Sequence, residues 1–182
     1  MKLKCFPAVI LVILSGVLQA QVSTQSDGAA SSGPLSTEVR QAYQSVKKNI
    51  LAAAAKVPDG DYAFKPTPEV RSLGDVFSHV VVAQMHTCPA LTSDNASSMP
   101  KLATKADIQS ALETSFSMCD KAYASLTDAN AAELIKTPRG QRTRLGTLTG
   151  NTLHDVEQYA GLSVYMRLKG LVPPSSEKSA GR

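Results

Sequence analysis

Apolar residues recur at the spacing of an α-helix in four stretches of this 182-residue chain, and no stretch alternates apolar and polar residues as a strand does. Residues 127–140, between the last two stretches, are predicted to form one or two short helical turns and then a loop. Four amphipathic helices without strands predict an all-α fold, an antiparallel four-helix bundle. The predicted helices are, in chain order, 36–57, 72–89, 104–126 and 143–169.

Capping residues mark the predicted helix starts. Ser72 with Asp75, and Thr104 with Asp107, have the spacing of a capping box, in which each side chain accepts a hydrogen bond from the other residue's amide. Ser36 is predicted as the N-cap of the first helix, because a serine hydroxyl accepts well from an amide of the first turn. The last helix is predicted to end where a lysine and a glycine precede two prolines.

The first 20 residues have the pattern of a secretory signal peptide. Lys2 and Lys4 form a basic segment, residues 6–18 are uncharged and mostly apolar, and Ala20 places a small residue at the cleavage position. The apolar segment is shorter than the roughly 20 residues that a membrane-spanning helix needs. We therefore predict cleavage after residue 20 and an exported protein, periplasmic or secreted, without a stable membrane span.

Composition divides the rest of the chain. Residues 21–35 are rich in Ser, Gly, Ala and Gln and lack apolar periodicity, so they are predicted to form a flexible linker. The helical domain is predicted to span residues 36–176, and residues 177–182 are predicted to form a disordered tail. A chain of this length accommodates one ordinary domain.

The charge balance argues against a nucleic-acid partner. The chain has 19 Lys and Arg against 15 Asp and Glu, and loss of the signal peptide leaves 17 against 15, a net charge of +2. The densest basic cluster falls in the predicted loop before the last helix, at Arg139, Arg142 and Arg144. Because no basic stripe forms, we expect no binding of nucleic acid.

Two histidines are the candidate chemical groups. His79 lies in the apolar stripe of the second helix, and His154 lies in the fourth helix with Gln158 one turn later on the same side. A metal in a helix bundle takes ligands that project inward from facing helices. The pattern fits either a metal site or two buried, hydrogen-bonded histidines. His86 lies two turns after His79, about 10 Å along the helix.

The closing helix, HDVEQYAGLSVYMRLKGLVPPSS from His154 onwards, resembles the DinB-like (DinB/YfiT) family, in which it typically reads HDNEHYGxxxxYxRLKGxVPPSS. The segment DYAFKPTPEVR, residues 61–71, resembles the family's DYxFRPTPEVRS. The resemblance covers roughly residues 39–176 and implies a four-helix bundle. The matching positions in the closing helix are His154, Asp155, Glu157, Tyr159, Tyr165 and residues 167–170.

The resemblance also implies a divalent-metal site. In the family the ligands are three histidines, one on the second helix and two that lie four residues apart on the fourth. His79 and His154 match two of these positions, and Gln158 occupies the third. Because an amide oxygen is a weaker ligand than imidazole, we predict a degenerate site at His79, His154 and Gln158 that holds Zn, Ni or Fe weakly. Glu157 is an alternative third donor.

The resemblance implies two alternative functions. The family includes metal-dependent thiol transferases, and it includes members without an assigned activity. The protein is therefore expected to be either such a transferase or a non-catalytic bundle that binds a small ligand or a protein partner in the same cleft. Dimers occur in the family, so the resemblance also implies that this chain can form a homodimer. No nucleophile elbow, HExxH motif or phosphate loop is present, so no catalytic residue is assigned.

Cys88 and Cys119 lie on the second and third predicted helices. An exported protein keeps disulfides, whereas buried free thiols are equally compatible with two cysteines on packed helices. The family subgroup often carries cysteines at matching places, which implies that the two lie near each other. The sequence leaves both outcomes open, because the spacing of the two Cα atoms decides between them.

Overall fold

A computed structural model describes residues 33–92, 98–137 and 140–177 of the chain. The predicted signal peptide, nearly all of the linker and, apart from Glu177, the predicted tail lie outside the described residues. The described residues form four long helices and a short hairpin, and the predicted all-α four-helix bundle is confirmed. The elements are α1 (Pro34–Lys56), α2 (Leu73–Thr87), α3 (Lys105–Ala124), β1 (Leu134–Thr137), β2 (Gly140–Thr143) and α4 (Arg144–Leu168), with short 3-10 helices at Asp59–Asp61, Cys88–Leu91 and Pro174–Ser176.

The helices form a ring in which α1 and α2 each contact both α3 and α4. At one end of the bundle, Lys169 after α4 pairs with Asp61 after α1 at 2.9 Å. At the same end, Lys105 at the start of α3 donates to the carbonyl of Val57 at 2.7 Å. Helices α1 and α4 therefore run in one direction, and α3 runs in the other. None of the helices in the described part of the chain is long and apolar enough to cross a membrane.

A disulfide joins α3 to the end of α2. Cys88 and Cys119 are bonded, with their Cα atoms 5.0 Å apart and both side chains fully buried. One turn earlier in each segment, the hydroxyl of Ser115 donates to Gln84 Oε1 at 2.8 Å. These two contacts show that α2 and α3 run in the same direction. The structure thus decides between the two outcomes that the sequence left open for the cysteines.

The core takes large side chains from all four helices. Tyr43 of α1, Phe77 of α2, Phe116 of α3 and Leu162 of α4 are fully buried. The ring of Tyr43 stacks on that of Tyr123, with centroids 3.7 Å apart. Apolar burial of this kind supplies most of the driving force for folding, and it holds the facing helices at fixed distances.

Both predicted capping boxes are confirmed. The amide of Asp75 donates to Ser72 Oγ and the amide of Ser72 donates to Asp75 Oδ2, each at 3.1 Å. The same reciprocal pair joins Thr104 and Asp107 at the start of α3. These bonds satisfy amides that would otherwise lack a partner in the first turn. They therefore fix where the helix that carries His79 begins.

The prediction that Ser36 caps the first helix is wrong. Helix α1 begins earlier, at Pro34, and Ser36 is buried within its first turn. The first-turn amides of Leu35 and Ser36 donate instead to the carboxylate of Asp128, at 3.2 and 2.8 Å. Because the capping group comes from a residue far along the chain, the local sequence around Ser36 does not reveal it.

The prediction for residues 127–140 is wrong in part: residues 128–132 form turns, but a hairpin replaces the predicted loop. Strands β1 and β2 pair as an antiparallel hairpin, with Leu134 opposite Thr143 and Ile135 opposite Arg142. Each strand has four residues, and Ile135 is the only buried residue among the eight. Such short strands cannot show the alternating pattern by which a strand is recognised in a sequence.

Candidate metal centre

The structure places His79 of α2 beside His154 of α4. Their Nε2 atoms lie 3.1 Å apart, and the ring centroids lie 5.0 Å apart with the planes at 67°. Both side chains are half-buried at the surface of the bundle, so they are accessible to a small solute. Facing helices thus bring together two residues that lie far apart in the sequence.

The spacing of the two Nε2 atoms fits a shared metal ion. Zinc binds histidine nitrogen at about 2.0–2.1 Å, so two tetrahedral ligands lie roughly 3.3 Å apart. The observed 3.1 Å is close to that value. The same distance also fits an N–H···N hydrogen bond between two neutral rings. The spacing is therefore compatible both with a metal-free, hydrogen-bonded pair and with a shared ion.

The third predicted ligand lies one turn further along α4. Gln158 is half-buried and lines a cleft of about 560 Å³ between α2, α4 and the connector before α2. His86 is exposed on α2 and lies apart from the pair. No group of three or more His, Cys, Asp or Glu residues in the described ranges could hold a metal ion. Two imidazoles therefore lie together, whereas Gln158 lines a cleft whose lining includes neither histidine.

Burial affects the charge of His79. Desolvation lowers the pKa of His79 below its usual range, with Arg71 and His154 acting in the same direction and Glu157 acting against them. A lowered pKa keeps the imidazole neutral at neutral pH, so a nitrogen lone pair remains available to accept a proton or a metal. Glu157 is exposed beside the cleft and acts on His79 through its charge.

A buried polar network lies directly behind His154. The carboxylate of Asp155 is fully buried, and its Oδ2 accepts from Gln84 Nε2 at 3.0 Å and faces Asn151 Nδ2 at 3.5 Å. In the sequence, Asp155 is recognised only as a matching position in the closing helix, and Gln84 and Asn151 are not predicted as site residues. The spacing of Asn151 and Asp155, four residues apart on the inward face of a helix, is the signal that was available.

Two atoms at this network lack a hydrogen bond. His154 Nδ1 and Asp155 Oδ1 are both buried, and neither has a hydrogen-bond partner. They face each other at 3.6 Å, slightly beyond hydrogen-bonding distance. Burial raises the pKa of the Asp155 carboxyl, whereas interactions with His154 and Gln84 act in the opposite direction. A carboxylate oxygen therefore lies close to the nitrogen of His154 that does not face His79.

The connector before α2 forms one wall of the cleft. Phe64 packs edge-on against Tyr165 of α4, with ring centroids 6.3 Å apart, and the ammonium group of Lys169 lies 5.0 Å from the Phe64 ring. These contacts fix the connector to the end of α4. The residues that line the cleft are Glu69, Val70, Arg71, Val76, Glu157, Gln158, Gly161 and Tyr165.

The fold is similar to solved structures of two bacterial proteins. One is a DinB-like protein from Bacillus subtilis, which is 18% identical with a TM-score of 0.62; the match covers 78% of this chain and 99% of that chain. The other is a DinB-like protein from Bacillus cereus, which is 15% identical with a TM-score of 0.62; the match covers 76% of this chain and 95% of that chain. At these identities the likeness shows the fold. No curated protein matches the chain.

A family comparison matches the DinB superfamily over residues 42–159, which is well over half of the chain. The matched range begins within α1 and continues into α4. It includes His79, His154 and Gln158. The chain belongs to the DinB superfamily.

Proposed function

We propose that the protein is an exported member of the superfamily with a degenerate divalent-metal site, and that it acts as a metal-dependent thiol transferase. The observation that supports the site is the 3.1 Å separation of His79 Nε2 and His154 Nε2 on facing helices. Two imidazoles suit zinc, nickel and iron, whereas a neutral amide oxygen adds little affinity for these ions. The metal is therefore held weakly.

The residues of the chain divide into two roles in this proposal. His79 and His154 hold the ion, and Gln158 offers its amide oxygen from the next turn of α4. A bound divalent ion lowers the pKa of a thiol and stabilises the thiolate. The adjoining cleft binds the organic part of the ligand, with apolar contacts from Val70 and Val76 and charged contacts from its rim.

Export is supported by two features. The first 20 residues have the pattern of a signal peptide, and the disulfide between Cys88 and Cys119 is typical of proteins from oxidising compartments. We expect the mature chain to begin at or near Gln21. N-terminal sequencing of the exported protein tests this expectation, and an exported chain that still begins at Met1 would contradict cleavage.

The metal site is tested by restoring the missing histidine. Gln158→His adds an imidazole one turn after His154, on the side that faces the cleft. We expect zinc affinity to rise at least tenfold, because a third strong ligand contributes more than the roughly 1.4 kcal/mol that this factor requires. His79→Ala in the Gln158→His background should abolish the gain. Calorimetric titration with zinc measures all three proteins.

Two control variants test whether the gain in zinc affinity depends on the position of the added histidine and whether Glu157 is a ligand. Ala160→His places the new ring on an exposed position of the same helix, so zinc affinity should stay at the wild-type value. Glu157→Gln removes the alternative carboxylate donor and should also leave the affinity unchanged. If Gln158→His brings no gain, the histidines do not converge on an ion and the metal proposal fails. Tight one-to-one binding by the wild type would contradict the degenerate site.

A non-catalytic ligand-binding bundle is the second candidate. It is favoured by Gln158, which replaces a strong ligand, and by the cleft of about 560 Å³ that Gln158 lines between α2 and α4. Conjugation of a low-molecular-weight thiol to an electrophile, measured with zinc, nickel or iron present, separates the two functions. Turnover that requires both His79 and His154 supports the transferase, and binding without turnover supports the second candidate.

A further inference from the structure

Two of the atoms at the candidate site are unusual for a folded protein. Buried polar side-chain atoms almost always have a hydrogen-bond partner. His154 Nδ1 and Asp155 Oδ1 have none, although both are buried and they face each other at 3.6 Å. A shift of about 0.5 Å would bring the two atoms into a normal hydrogen bond. Each atom is therefore the natural partner of the other.

We propose that Asp155 is a positioning residue, which accepts a hydrogen bond from Nδ1–H of His154 and so keeps Nε2 of that ring unprotonated and directed at His79. A neutral imidazole carries one proton, and the hydrogen bond at one nitrogen determines which nitrogen has the lone pair. The inference rests on the proposed function only in that the free lone pair at Nε2 is the one that would bind a metal.

The surrounding network fixes the orientation of the Asp155 carboxylate. Gln84 Nε2 donates to Asp155 Oδ2 at 3.0 Å, and the hydroxyl of Ser115 lies 2.8 Å from Gln84 Oε1 and 3.1 Å from the carbonyl of Leu112. Oδ2 is thus engaged by an amide donor from α2. Oδ1 remains free and has the imidazole nitrogen of His154 as its neighbour. Gln84 therefore holds the carboxylate so that Oδ1 faces His154 as a hydrogen-bond acceptor.

The same arrangement assigns the protons of the histidine pair. With its proton on Nδ1, His154 accepts at Nε2. The 3.1 Å contact between the rings then requires His79 to donate from its own Nε2–H when no metal is present. Carboxylate partners of this kind orient metal-binding histidines in many sites, and their loss weakens metal binding about 10- to 100-fold.

Asp155→Asn tests the assignment with little change in shape. The side-chain oxygen of asparagine can still accept from Gln84, and its amide nitrogen then faces His154 Nδ1 as a donor. His154 should therefore carry its proton on Nε2 in the variant. Long-range proton–nitrogen NMR of the metal-free protein, at a pH where free histidine is neutral, distinguishes the two tautomers. His86→Gln removes the resonance of the exposed histidine and simplifies the assignment.

Asp120→Asn is the matched control. It makes the same substitution at a half-buried carboxylate of α3, which accepts from the hydroxyl of Tyr43 and lies outside the network around Asp155. We expect this variant to keep the wild-type tautomer of His154, whereas Asp155→Asn reverses it and weakens zinc binding at least tenfold. A wild-type His154 that is protonated on Nε2, an unchanged tautomer in Asp155→Asn, or the same change in both variants would overturn the inference.

The NMR result is independent of the proposed metal site. The wild-type measurement needs no variant, so it decides the tautomer even if Asp155→Asn fails to fold. If the tautomer is as expected and zinc does not bind to the wild type or to Gln158→His, the positioning role stands and the metal proposal fails. If zinc binds and the tautomer is reversed, the metal proposal stands and the role of Asp155 is rejected.

Discussion

The α1–α3 contact and the α2–α4 contact both bury polar side chains, and they differ in how these side chains are paired. In the α1–α3 contact, the hydroxyl of Tyr43 lies 3.0 Å from the carbonyl of Phe116 and 2.9 Å from Asp120 Oδ1. Lys47 forms an ion pair with the other oxygen of the same carboxylate. Every polar group of this set has a partner, as is usual inside folded proteins.

The α2–α4 contact leaves two polar atoms without hydrogen bonds, at His154 and Asp155. The third such atom in the described ranges is Nε of Arg40 on α1, whose guanidinium donates from another nitrogen to the carbonyl of Leu126 after α3, so the α1–α3 contact has one such atom and the α2–α4 contact has two. An unsatisfied buried polar group costs about 1–3 kcal/mol. Proteins tolerate that cost mainly where function requires it, so the comparison points to the α2–α4 contact as the functional one.

The comparison predicts that two truncations have opposite effects: one mainly lowers stability, and the other mainly lowers zinc affinity. Tyr43→Ala removes a fully buried ring from the α1–α3 contact, so we expect it to lower the free energy of unfolding by about 3–5 kcal/mol. It should leave zinc affinity unchanged in the folded protein. His154→Ala removes a ring that is only half-buried, so it should cost about 1 kcal/mol and abolish zinc binding.

Urea denaturation and zinc titration of the two variants measure both effects. Tyr43→Phe is the control for the first truncation, because it keeps the ring and removes only the hydroxyl; its expected cost is about 1 kcal/mol. If His154→Ala destabilises the protein as much as Tyr43→Ala does, the histidine pair is part of the structural core and the distinction between the two contacts fails.

A smaller effect is expected at the start of α2, one turn before His79. The hydrogen bond with Ser72 lowers the pKa of Asp75, so the ionised carboxylate stabilises the folded state. Because the folded pKa lies below the unfolded value of about 3.9, this stabilisation is complete above that value and is lost as the pH falls through the folded pKa. Asp75→Asn should therefore cost roughly 0.5 kcal/mol at neutral pH.

Urea denaturation of the wild type and of Asp75→Asn at several acid pH values checks whether the contribution of Asp75 to stability falls as the pH falls. The difference in the free energy of unfolding should be constant near neutral pH and should shrink below about pH 4. Zinc affinity at neutral pH should be the same in both proteins, since the capping box belongs to the satisfied part of the structure. A change in zinc affinity would show that the start of α2 is coupled to the histidine pair.

Local patterns in the sequence determined the helices and much of the candidate site. The four amphipathic stretches, and the capping boxes at Ser72 and Thr104, depend on residues within a few positions of one another, so their spacing is visible in the chain. His79 and His154 could be selected because each lies on a helical face whose direction follows from the same periodicity. The resemblance of the closing helix to the family placed Gln158 at the position of the third ligand.

The tertiary structure alone decided the features whose partners lie far apart in the chain. Asp128 caps α1 at a sequence separation of 92 residues from Ser36, and Gln84 donates a hydrogen bond to Asp155 at a separation of 71 residues. Cys88 and Cys119 could pair or stay free until their Cα atoms were placed 5.0 Å apart. A sequence lists the donors and acceptors, but distance and direction decide which of them meet, and packing of the four helices sets both.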